Sequence, residues 1–131
     1  MKQLATALCA AGFMIGTLSI QAPDDVMSKE KDGTYVVNTT KLCSDVKGYR
    51  STTPLKIYVK DGKVARVEAL KNQETPKYFS RVKQEVLPQW EGKAVKKAAK
   101  MNVDGVTGAT MSSDAVKINV QRGLDYYQKN K

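Results

Sequence analysis

Small hydroxyl residues and glycines crowd one stretch of the chain, Asp104-Gly105-Val106-Thr107-Gly108-Ala109-Thr110-Met111-Ser112-Ser113, just ahead of a helical pattern. Free backbone N–H groups at a helix N-terminus, with the helix dipole behind them, favour phosphate oxygens. Small side chains let the backbone come close to such a group. The stretch is not a Walker loop, because no Gly-Lys-Ser/Thr ending is present. It is not a dinucleotide fingerprint either, because no parallel strand–helix–strand unit surrounds it. On composition alone it fits a plain capping loop more often than a phosphate site.

The rest of the sequence narrows the chemistry. The 131 residues contain no His, which removes the usual general base near neutral pH and the commonest metal ligand. Nucleophilic catalysis by a Ser-His or Cys-His pair is excluded. Two Cys cannot build a four-thiolate zinc or iron–sulfur site. No catalytic residue and no metal ligand is assigned, so the chemistry belongs to something bound. With 27% charged and 41% hydrophobic residues, the chain is neither a disordered tail nor a polytopic membrane protein.

Residues 1–22 differ in character from the remainder of the chain. Lys2 precedes an uncharged run from Gln3 to Ala22, and acids begin at Asp24 and Asp25. A positive start, an apolar centre and a small residue before a charged region read as a secretory signal cut after Ala22. The alternative is an uncut N-terminal anchor. Either places the remainder outside the cytoplasm, in a periplasm or at a cell surface. Cleavage would remove Lys2 and take the formal charge from +9 to +8, leaving Cys43 as a lone thiol with no internal disulfide available. Residues 23–32 are polar and read as a linker. Residues 33–131 form the expected domain.

The elements that must position the loop are legible in outline. Thr34 to Val37 reads as a strand. Leu55, Ile57 and Val59 alternate with polar residues. After Asp61-Gly62, Ala65, Val67 and Ala69 do the same, which predicts a β-hairpin. A three-residue loop, Lys60-Asp61-Gly62, would set Ile57 opposite Ala65 and Leu55 opposite Val67 and keep one face apolar. Thr75 then suits a helix cap and Pro76 its first position. Phe79, Val82 and Val86 recur at helical spacing, and Pro88 closes that segment. Gly92 to Asn102 is compatible with a helix or an extended linker. A last helix, capped by Ser112 or Ser113 with Asp114 in its first turn, carries the stripe Val116, Val120, Leu124 and Tyr127. The expected fold is therefore α+β: a small antiparallel sheet with a central hairpin, one helix after it, and a C-terminal helix following the loop.

Asp104 to Thr110 (DGVTGAT) resembles the flavinylation motif of the FMN-binding domain family, in which Asp, two variable residues, Ser or Thr, Gly, Ala and Thr occur in order. That family includes the flavin-carrying subunits of sodium-pumping NADH:quinone reductase and of Rnf-type complexes. Asp32 to Tyr35, Gly48-Tyr49, the hairpin around Asp61-Gly62-Lys63 and Glu74-Thr75-Pro76 are similar to further family features in the same order, so the likeness runs over about residues 32–128. It implies FMN joined through its phosphate to the Thr110 hydroxyl by a separate FAD:protein FMN transferase. Thr107, Gly108 and Ala109 would let the transferase and the phosphate approach. Asp104 would serve docking or metal handling during modification, or simply form a turn. Ser112 and Ser113 would contact the phosphate, cap the helix, or both. Tyr49, Tyr58, Tyr78, Phe79 and Trp90 are the candidates to lie against the flavin ring.

The implied role is electron relay outside the cytoplasm, with membrane redox proteins as partners and a basic surface suited to anionic membrane. The chain reads as a carrier rather than a self-sufficient enzyme. Two alternatives stand beside this. One is a domain of the same fold that holds FMN without a covalent bond. The other is a basic module for anionic polymers, supported by Lys93, Lys96, Lys97 and Lys100. No nucleic-acid motif accompanies that cluster, so nucleic acid is not an expected partner.

Overall fold

The computed structural model describes residues 25–131. The expected signal or anchor, residues 1–22, lies outside them. Four strands, β1 (Met27–Lys29), β2 (Tyr35–Asn38), β3 (Leu55–Lys60) and β4 (Lys63–Ala69), form one antiparallel sheet in sequential order. Three helices come after the sheet: α1 (Pro76–Glu85), α2 (Val95–Ala98) and α3 (Thr110–Asn130), with a 3₁₀ turn at Leu87–Trp90. The α+β class, the hairpin and the C-terminal helix are as the sequence predicts.

Alternation places Val37, Leu55, Ile57, Val59, Val64 and Val67 on the inner face, all buried. Val116, Val120, Leu124 and Tyr127 of α3 and Phe79 and Val82 of α1 cover it. The outer face carries Lys56, Tyr58, Arg66 and Glu68. There the Arg66 guanidinium lies 4.3 Å from the Tyr58 ring centroid, and the Tyr58 hydroxyl donates to Glu68 at 2.9 Å. Gly123 lets α3 lie directly on the sheet: a Cβ there would stand 2.5 Å from Ile57 Cδ1.

Three expectations need correction. The hairpin turns on two residues, not three. Asp61 and Gly62 both have positive φ, 53° and 74°, the conformation whose twist suits a tight hairpin. Lys60 therefore pairs with Lys63 and Val59 with Val64. A bulge then leaves Ala65 as an extra, exposed residue and restores the inward face, with Ile57 opposite Val67 and Leu55 opposite Ala69. Second, the polar segment 23–32 is not linker throughout. Met27–Lys29 pairs with Tyr35–Val37 as an edge strand, and polar residues suit such an edge. Third, neither Ser112 nor Ser113 caps α3. The helix begins at Thr110 with Ala109 as its N-cap, and Asp114 lies beyond its first turn.

The undecided stretch 92–102 contains both alternatives. Gly92 N–H donates to Val64 O at 2.7 Å and Val64 N–H to Lys93 O at 2.9 Å, so the chain runs along β4 before turning into α2. Trp90, 1% exposed, is buried just before it.

Candidate functional site

The loop before α3 is held from three sides. Val103, Val106 and Ala109 are buried, so every third residue pins it to the core. Gln89 grips the backbone of Asp104 twice, its Nε2 donating to the carbonyl at 2.8 Å and its Oε1 accepting the N–H at 3.1 Å. Arg81 Nη1 donates to Thr107 O at 3.3 Å. Ser113 Oγ accepts the Val106 N–H at 3.1 Å and donates to Ala109 O at 2.8 Å. Gly105 packs closely on the helix, since a Cβ there would lie 3.1 Å from Ser113 Cβ. Ala109 N–H closes a turn onto Val106 O at 2.9 Å, and Gly108 supplies its positive φ of 87°.

This turn delivers Thr110, exposed, at the first position of α3. Ser113 N–H is the first to close a helical bond, onto Ala109 O. The N–H groups of Thr110, Met111 and Ser112 precede it and, among the described residues, meet no acceptor. All three residues line a cleft of about 460 Å³, together with Tyr49, Thr75, Tyr78, Gly108 and Ala109. Tyr49, Tyr78 and Met111, 71%, 42% and 55% exposed, are three of the four exposed large apolar side chains of the described domain, and all three line this cleft. Such clustering marks a binding surface rather than scattered surface residues.

Of the residues singled out in the sequence, Thr110, Gly108, Ala109 and Ser112 meet at the cleft. Asp104, Thr107 and Ser113 do not line it. Asp104 and Thr107 are exposed, and Ser113, in the first turn of α3, is buried behind the loop. Ser112 turns its hydroxyl proton to Glu74. Among the five aromatics, Tyr49 and Tyr78 line the cleft, Tyr58 sits on the outer sheet face, and Phe79 and Trp90 are core.

Glu74 is the residue whose part the sequence left unread. It is 5% exposed, and its carboxylate accepts the N–H groups of Tyr49 (2.8 Å), Arg50 (2.6 Å) and Ser51 (2.8 Å) and the Ser112 hydroxyl (2.5 Å). Burial alone would raise its pKa. The Ser112 hydroxyl and the three backbone donors outweigh that and hold it below the ordinary value. Gly48 makes the approach possible, since a Cβ there would stand 2.3 Å from Glu74 Oε1. The Glu-Thr-Pro order was the available signal.

An α+β domain whose C-terminal helix opens on an apolar, tyrosine-walled cleft is built to take a planar cofactor bearing an anionic group. A family model for the FMN-binding domain matches residues 48–125, and the chain belongs to that family. No curated protein and no solved structure matches the chain. The matched span holds Gly48, Glu74, the 104–110 loop and most of α3, whereas β1 and β2 precede it.

FMN is thus the cofactor of the domain, and the residues present fit it. Three unpaired N–H groups and a helix N-terminus suit its phosphate. Two tyrosine rings and a methionine suit its flavin ring. The cleft volume lies within the range of about 300–1,000 Å³ usual for small-molecule sites. Among the described residues no group of three potential metal ligands occurs, and no helix is long and apolar enough to cross a membrane.

Proposed function

We propose that the chain carries FMN esterified through its phosphate to the Thr110 hydroxyl and relays electrons between redox partners outside the cytoplasm. One observation carries the reading: the motif's last hydroxyl is exposed, at the rim of the apolar cleft, beside N–H groups with no other acceptor. The attachment is an exchange at phosphorus. The Thr110 oxygen bonds to the FMN-side phosphorus of FAD, the pyrophosphate link breaks, AMP leaves, and the hydroxyl proton passes to a base of the transferase. No His is available in this chain to take it. Thr110, Met111 and Ser112 would hold the phosphate through their N–H groups, and Tyr49 and Tyr78 would flank the ring.

Bound FMN supplies one- and two-electron transfer. The open cleft leaves such a group accessible to a partner protein. A covalent link keeps it from being diluted away outside the cell. Membrane redox proteins as partners, and an anionic membrane surface as the setting, accord with an exported and basic chain.

Intact mass after co-production with an FAD:protein FMN transferase tests the reading. The expected result is a gain of one FMN less water, with flavin fluorescence retained in denaturing gels and abolished by Thr110→Ala. Fluorescence that persists in that variant removes Thr110 as the acceptor. FMN that binds but is lost on denaturation supports the non-covalent alternative.

A further inference from the structure

We propose that Glu74 is a positioning residue: its carboxylate locks the 48–51 loop onto the first turn of α3 and so fixes Tyr49 as one wall of the cleft. Three consecutive N–H groups, those of Tyr49, Arg50 and Ser51, converge on this carboxylate. Backbone folded in that way forms a concavity that receives anions. Here the anion is the chain's own side chain. Oε1 also accepts from Ser112, so a single carboxylate spans the loop and the helix that bears Thr110.

The bracing continues on both sides. Ser51 Oγ accepts the Gln73 N–H at 2.9 Å, Asn72 Oδ1 accepts the Glu74 N–H at 2.9 Å, and Gly48 N–H closes the loop on Ser51 O at 2.8 Å. What the clamp holds is not core. Tyr49, the large apolar side chain of the loop, points its ring outward at the cleft and is mostly exposed. A buried, four-donor carboxylate spent on such a loop organises a surface, and that surface is the one assigned to the flavin. The inference rests on that assignment for its function, but not for its geometry.

The experiment uses the full chain as wild type, Glu74→Gln, Tyr49→Ala and the double variant. Gln keeps the shape of Glu but sets an NH₂ group against two of the four donors. Amide hydrogen exchange is measured first, without flavin. Exchange at residues 49–51 is expected to quicken in Glu74→Gln about tenfold more than at Ile57 and Val59 in β3, whose own change reads the loss of overall stability. FMN is then added and its fluorescence quenching monitored. Glu74→Gln is expected to lose the same quenching as Tyr49→Ala, and the double variant to lose no more than either. In Glu74→Ala, formate is expected to restore protection of amides 49–51, and chloride at equal ionic strength to leave them open.

Unchanged exchange at 49–51 overturns the proposal. So does an equal rise at Ile57 and Val59, which would make Glu74 a stabiliser of the whole fold, and so do additive losses of quenching. A wild-type chain that quenches no FMN would instead refute the site assignment, while the flavin-free exchange still decides whether Glu74 holds the loop.

Discussion

Replacing Gly48 by Ala adds one methyl group at the most crowded point beside the cleft. Its carbon would stand 2.3 Å from Glu74 Oε1, 3.0 Å from Glu74 Cδ and 3.2 Å from Ser112 Cα. The last belongs to helix backbone, so the carboxylate must give way. It is the end of a flexible side chain, but four hydrogen bonds pin it. Displacing Oε1 forfeits the bonds from Tyr49 N–H and Ser112 Oγ, each worth about 1.5–3 kcal/mol when the acceptor is charged. Gly48 is not among the residues with positive φ, so Ala gains about 0.4–1 kcal/mol from the unfolded chain. The net expectation is a loss of about 2–5 kcal/mol and a fall in Tm of about 10 °C or more. Urea unfolding monitored by Trp90 fluorescence reads it well, because Trp90 is the single tryptophan and is 1% exposed in the folded chain. A Gly48→Ala protein as stable as wild type, or more stable, would refute the cradle argument, since only the chain-entropy gain would then have been felt.

The same geometry sets further outcomes. Gly123→Ala gains about 1 kcal/mol of helix propensity but drives a methyl into Ile57 Cδ1 at 2.5 Å, costing about 1–3 kcal/mol of overpacking, so the urea midpoint should fall. Asn119 is fully buried, accepts from the Thr39 hydroxyl and donates to Ala115 O at 2.8 Å and Thr53 Oγ1 at 3.4 Å. Asn119→Ala should cost about 2–3 kcal/mol in the same assay by stranding those partners. The Glu74 carboxyl titrates below its ordinary 4.5 in the folded chain, so its contribution is present above that pH and is lost as pH falls through the folded value. Urea midpoints measured from pH 7 to pH 3 should therefore show the Glu74→Gln penalty shrinking toward the acid end, and a penalty that grows there would contradict the assignment.

The apolar stripe of α3 and the existence of the hairpin were legible because burial imposes a period on side chains. Val116, Val120, Leu124 and Tyr127 obey it without exception. The hairpin register was not legible. The apolar face argued for a longer loop, but Asp61 tolerates positive φ, and the bulge at Ala65 repairs the alternation two residues later. A bulge leaves no mark in a pattern of apolar and polar letters when the extra residue is itself apolar.

The candidate site divides in the same way. Thr110 was named by its motif, and its exposure at the cleft accords with that. The cap lies earlier than the hydroxyl residues suggest, because the hydroxyl of Ser113 serves the loop behind it, bonding Val106 and Ala109, and the helix starts at Thr110. The task of Glu74 could not be read at all from residue types. Three of its partners are peptide N–H groups more than twenty residues away, which every sequence offers alike.

Strand β1 enters the sheet with Met27 beside Val37 and leaves it at Lys29 beside Tyr35, running the same way as β3. The first described residues therefore stand at the end where Leu55 begins and the mouth between Tyr49 and Tyr78 opens, while Asp61 and Gly62 mark the opposite pole. A tether joined ahead of Asp25 would meet the molecule at the end of the sheet where Leu55 begins, the end from which the 48–51 loop also departs. A domain hung in this manner would turn the cleft proposed for FMN back toward whatever it hangs from, and its lysine-bearing hairpin tip away.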